Sequence, residues 1–138
     1  MPLQEDNRTE FKSSFTDAVI ESLVAFANTG GGRVIVGLNN TGVPVNGFSI
    51  GAESIQKIIN EVKNKTQPSI LPDAIEIDVE GKKVIELSIK EFPVKPVSFK
   101  GRYYKRLNNS NHQLSLTEIA DLHLRSFNSS WDSYINPS

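Results

Sequence analysis

Three consecutive glycines, Gly30-Gly31-Gly32, lie between an apolar helical period and an apolar, β-branched run, and this arrangement restricts the fold more than any other stretch. Upstream, Phe15, Val19, Leu23 and Phe26 recur at helical spacing, and Ile20 and Ala27 widen the stripe. Ser14 or Thr16 could cap this helix, which should end near Asn28. Downstream, residues 33–38 (RVIVGL) suit a strand buried on both faces. A phosphate-binding loop runs strand, glycines, helix, so that its N–H groups and the positive end of the helix dipole meet the anion. Here the order is reversed, and an anion would face the carbonyl end of the helix. Gly32 and Gly37 have P-loop spacing, but Leu38-Asn39 stand where Lys and Ser/Thr are required. The glycines are therefore expected to end the helix through a left-handed cap and reverse the chain into a core strand. An ATP-binding domain loses its main support.

The remaining elements follow from periodicity. Residues 8–12 read as a short strand, and residues 43–47 (VPVNG) as a short return strand after the NNTG turn. A second helix is expected over about 51–65, with Ile55, Ile58, Ile59 and Val62 on one side. Two alternating runs joined at Glu80-Gly81-Lys82 predict a hairpin, with Ile75, Ile77 and Val79 on one face and Ile85, Leu87 and Ile89 on the facing one. A turn at Lys100-Gly101 precedes a strand over 102–107, and a last helix is expected over about 115–126. Ser115 or Thr117 could cap it, and Glu118 stands in capping-box spacing from Ser115. The order of elements predicts one α/β domain of the α+β type over residues 1–126, a mixed or antiparallel sheet packed on about three helices. Residues 127–138 read as a polar tail or linker toward a further C-terminal region.

With no cysteine, disulfides, thiolate metal sites and cysteine nucleophiles drop out together. No apolar h-region opens the chain and no apolar run reaches the ~20 residues of a membrane span, so a cytoplasmic protein without membrane association is expected. His112 and His123 have no partner at ligand spacing, and no serine sits in a G-x-S-x-G context.

Charge is uneven. The whole chain carries −1, yet residues 90–106 hold Lys90, Lys95, Lys100, Arg102, Lys105 and Arg106 against the single acid Glu91. Such asymmetry is the usual footprint of a phosphate-binding face. In a strand Arg102, Tyr104 and Arg106 share one face and Tyr103 and Lys105 the other, so one tyrosine could be core and the other could stack on a base. Asn108 and the following Asn109-Ser110-Asn111 add amide and hydroxyl donors. Lys12 fits either a phosphate contact or an ordinary strand-end lysine. The alternative for the basic stretch is a solvated strand whose lysines guard an edge.

The ordered set of E....EFK at 5–12, AFANTGGGRVIVGL at 25–38, KPV at 95–97 and YYKRLNNSN at 103–111 resembles the Schlafen-type AlbA-like domain, also described as a DNA-binding, divergent AAA domain, of bacterial transcriptional regulators and helicase-related proteins. The resemblance spans about residues 5–122. It implies a nucleic-acid-binding module, with DNA preferred to RNA, inside a longer protein that often carries a C-terminal winged-helix region. Nuclease members of the family use two glutamates in this setting and a third acid after the glycine-led strand, around Mg²⁺ or Mn²⁺. Glu5 and Glu10 match the first two, whereas the third position falls on Asn40, which removes a negative charge from the site. The leading expectation is thus a non-enzymatic binder that requires no cofactor and contacts nucleic acid through Lys12, Lys95, Lys100, Arg102, Tyr104, Lys105, Arg106 and Asn108. The alternative is a metal-dependent nuclease whose activity Asn40 weakens or abolishes. An ATP-binding domain and a homodimeric scaffold come after these.

Overall fold

The computed structural model describes residues 5–135. Its elements are β1 (Thr9–Lys12), α1 (Asp17–Asn28), β2 (Gly32–Val36), α2 (Ala52–Lys65), β3 (Thr66–Gln67), β4 (Asp73–Val79), β5 (Lys82–Ile89), β6 (Ser98–Phe99), β7 (Arg102–Leu107), β8 (Ser110–Gln113) and α3 (Leu116–Ile135). They form an α+β domain with two four-stranded sheets, in the orders β1-β2-β5-β4 and β3-β6-β7-β8. The first is mixed, because β1 and β2 run parallel; the second is antiparallel throughout. Among the described residues no helix is long and apolar enough to cross a membrane.

The α1 helix is the centre of the molecule. From Val19 to Asn28 every residue except Glu21 is buried, because the helix packs against strands of both sheets. A helix apolar nearly all round can be stable only in such a place. Of the two cap candidates it is Thr16 whose hydroxyl accepts the N–H of Ala18. At the other end the N–H of Gly31 reaches back to the carbonyl of Phe26 at 2.8 Å, with Gly30 and Gly31 both left-handed. A Cβ on Gly32 would lie 2.5 Å from the Phe26 ring. The glycines therefore cap a helix and admit a close core contact, as their position after the helix predicts. In β2, Val34 and Val36 face α1 while Ile35 packs with Phe11, Leu38 and Val84 on the reverse face, which makes β2 the strand buried on both sides.

Four expectations need correcting. The two-residue turn Glu80-Gly81 pairs Val79 with Lys82 and Ile77 with Val84. Cross-strand partners share a face, so Ile75, Ile77 and Val79 lie on the opposite side of the sheet from Ile85 and Leu87, and Ile75 is largely exposed. Residues 43–47 form no strand; only a single bridge joins Leu38 and Pro44, since a proline has no N–H to extend a ladder. Residues 110–113, the first two of them from the polar run 108–111, pair with β7 as strand β8. Finally, α3 continues to Ile135, well past the expected end near 126. Its start is the predicted capping box: Ser115 and Glu118 exchange side-chain bonds with each other's N–H.

Candidate nucleic-acid interface and carboxylate pair

The β1 strand sits at the edge of the mixed sheet, with Glu10 opposite Val34 and Lys12 opposite Val36. Both side chains therefore project toward the α1 side, while Phe11 enters the reverse core. Glu10 accepts a 2.5 Å bond from Nη2 of Arg106 and has the Lys12 ammonium at 3.8 Å. Glu5 comes back beside Glu10. Burial first, and then the charge of Glu10, push the Glu5 carboxyl above its ordinary value, opposed by the N–H of Phe11. The two glutamates five positions apart are thus brought together. Asn40 is exposed in the turn after β2, a turn organised by its neighbour Asn39, whose Oδ1 accepts from the N–H groups of Thr41 and Val43. Among the described residues no three His, Cys, Asp or Glu side chains are placed to hold a metal ion. Two carboxylates would suit a Mg²⁺ ion that keeps waters and takes its other ligands from substrate phosphate; they do not make a cage of protein ligands.

The basic stretch folds differently from its linear charge count. Four of its cations meet acids, three of them brought from elsewhere in the chain and one, Glu91, from the stretch itself. Lys95 lies 3.7 Å from Glu91, Lys100 lies 2.7 Å from Asp17, Lys105 bonds Glu118, and Arg106 bonds Glu10. The Lys100 bond holds the Asp17 carboxyl below its ordinary value, and the Lys105 bond does the same for Glu118. Lys90 and Arg102 are exposed, and no ion pair engages either among the described residues.

Arg106 and Tyr104 turn inward. The Arg106 side chain is 2% exposed. Its guanidinium stacks on Phe26, 4.9 Å from the ring centre, and donates to Asn111, whose amide in turn bonds Ser22. Tyr104 is buried with its hydroxyl on Glu21. Both were expected on a contact face; the strand alternation does put Arg102, Tyr104 and Arg106 together, but α1 covers that side. Tyr103 and Lys105 occupy the outer face and are half-buried. Asn108 is exposed and left-handed in the turn between β7 and β8, a conformation asparagine tolerates well. Asp17, Glu21 and Asn28 were not singled out from sequence. Their position on α1 gives no local sign of the partners they meet, Lys100 and Lys65 for Asp17, Tyr104 for Glu21, and Val97 and Tyr104 for Asn28.

A family model described as Schlafen, AlbA_2 matches residues 5–115. Among solved structures, the DIP2311 protein from Corynebacterium diphtheriae aligns with a TM-score of 0.65 at 17% identity, over 84% of this chain and 23% of that one. The N-terminal domain of a RecG-related protein from Nitrosomonas europaea aligns with a TM-score of 0.46 at 22% identity, over 79% of this chain and 82% of that one. The chain thus spans about a quarter of the Corynebacterium protein, and that likeness is one of fold. No curated protein matches.

Proposed function

The chain belongs to the Schlafen AlbA_2 family, and from that premise we propose that it is a nucleic-acid-binding module that grips the phosphate backbone, DNA in preference to RNA, as part of a cytoplasmic transcriptional regulator. The observation that carries this reading is the tip of the β6–β7 hairpin. There the left-handed pair Lys100-Gly101 makes a tight turn, and Arg102 stands exposed with no ion pair among the described residues. Lys100 adds an ammonium that is 60% exposed. Its bond to Asp17 is a surface pair of the kind worth little in water, which a phosphate can replace. Lys95 and Lys105 flank the hairpin, each already near a carboxylate. Tyr103 takes the stacking position in place of Tyr104.

Binding of this kind releases counterions, so affinity should fall steeply with salt. Replacing Arg102 with glutamine should reduce the slope of log K against log salt by about one unit. Titration of a labelled duplex at several salt concentrations measures it. An unchanged slope would remove Arg102 from the interface.

The meeting of Glu5 and Glu10 favours a second reading, a divalent-metal-dependent nuclease. Glu10 also holds Arg106, so its removal would confuse chemistry with stability. Glu5 is the cleaner probe: Glu5→Gln leaves the Arg106 pair intact and relieves a like-charge contact. On this reading the protein cleaves a labelled oligonucleotide with Mn²⁺ or Mg²⁺, and Glu5→Gln loses at least a hundredfold in rate while its thermal midpoint holds or rises. Cleavage unaffected in Glu5→Gln would rule out the carboxylate pair as its source.

A further inference from the structure

Beside the carboxylate pair, where α1 ends and β1 begins, lies a small polar cleft of about 120 Å³. The carbonyl end of α1, which alone repels an anion, is covered here: Phe26 O by the N–H groups of Thr29 and Gly31, Ala27 O by that of Phe92 and Gly30 O by Arg8. Asn7, Arg8, Thr29, Gly30, Arg106 and Asn108 line it. We propose that this cleft is an anion site that takes a single phosphoryl group. Two arginines border a space that accommodates a phosphoryl group. Arg8 is exposed, and one of its five donors is spent, Nη1 on the carbonyl of Gly30 at 2.6 Å. Arg106 is fixed in place behind it by Glu10, Asn111 and the Phe26 ring, so little ordering remains to be done on binding. Its Nε is buried and has no hydrogen-bond partner among the described residues, a rare condition for a guanidinium. The amides of Asn7 and Asn108 supply neutral donors at the rim, both from exposed turns. The carboxylates nearby keep their charge but have their oxygens bonded, Glu5 by the N–H of Phe11 among others. Asp6 accepts from the N–H of Arg8, Glu91 from the N–H of Gly30, and Glu10 from Arg106.

The cleft is separate from the hairpin tip that carries the proposed backbone contact, and it can be tested with no oligonucleotide present. The probe is inorganic phosphate, added at constant ionic strength while the arginine Nε–H signals are followed by NMR. The Arg8 signal should shift and saturate. Asn7→Asp, which places a negative charge on the rim without changing shape, should weaken phosphate at least tenfold, and Arg8→Gln should do the same. Circular dichroism of both variants should match the parent, since each residue is exposed. If the ligand is the end of a strand, a 5′-phosphorylated oligonucleotide should outcompete its unphosphorylated form, and Asn7→Asp should erase the difference. If internal phosphates or free phosphate fill the cleft, the two oligonucleotides should compete equally while the variants still lose inorganic phosphate. An Arg8 signal unmoved by phosphate, or an equal affinity in parent and Asn7→Asp, would overturn the assignment.

Discussion

Replacing Arg106 with alanine should lower the unfolding free energy by about 3–5 kcal/mol, because it leaves the carboxylate of Glu10 without its main partner in a mostly buried place. The Glu10 side chain is 14% exposed and that of Arg106 only 2%. Removal also deletes the contact with the Phe26 ring and the bond to Asn111. Urea denaturation gives the loss directly. A double-mutant cycle with Glu10→Gln then isolates the pair: the double variant should be less destabilised than the sum of the single changes. A loss below about 1 kcal/mol would mean that the pair behaves like an exposed one. This result would also separate two roles that the strand pattern alone cannot. Arg106 supports the fold and backs the polar cleft, whereas Arg102, four residues away on the same strand, meets solvent.

Asn28→Ala should cost about 3 kcal/mol or more, for a different reason. Asn28 is 5% exposed and ties α1 to the second sheet and the segment before it. Its Nδ2 donates to the carbonyls of Val97 at 3.0 Å and Tyr104 at 2.9 Å, and its Oδ1 accepts the N–H of Val97 at 2.7 Å. Each buried group left without a partner costs about 1–3 kcal/mol. Asn28→Asp should do no better, since it turns a donor into a second acceptor facing two carbonyls. Besides denaturation, amide exchange at Val97 should accelerate in Asn28→Ala far more than exchange in β2. Uniform acceleration at both places would show that Asn28 contributes only to global stability.

Local signals were legible where one short segment decides the structure. Glycines after a helical stripe became a left-handed cap, Ser115 and Glu118 became a capping box, and the isoleucine-rich alternation became a hairpin. What the sequence left hidden depends on distant partners. The facing of Ile77 against Ile85 depends on whether the turn holds two residues or three, and two residues move every side chain by one place. The charge excess over 90–106 is real along the chain, yet Asp17, Glu118 and Glu10 fold onto it from outside that stretch; Glu10 and Arg106 are 96 positions apart. For the same reason alternation separated Tyr103 from Tyr104 but could not say which of the two α1 would cover. The carboxylate pair was visible as spacing, and the structure adds that the charge of Glu10 acts on Glu5 and that Asn40 is in an exposed turn.

The measurement that tests the binding account most directly is the equilibrium affinity for a labelled DNA duplex across a salt series, for the parent and for Arg102→Gln side by side. The account predicts a straight fall of log K with log salt at about 0.9 per phosphate engaged, and a shallower line for the variant by about one unit. No measurable binding at low salt, or an affinity indifferent to salt in both proteins, would contradict it.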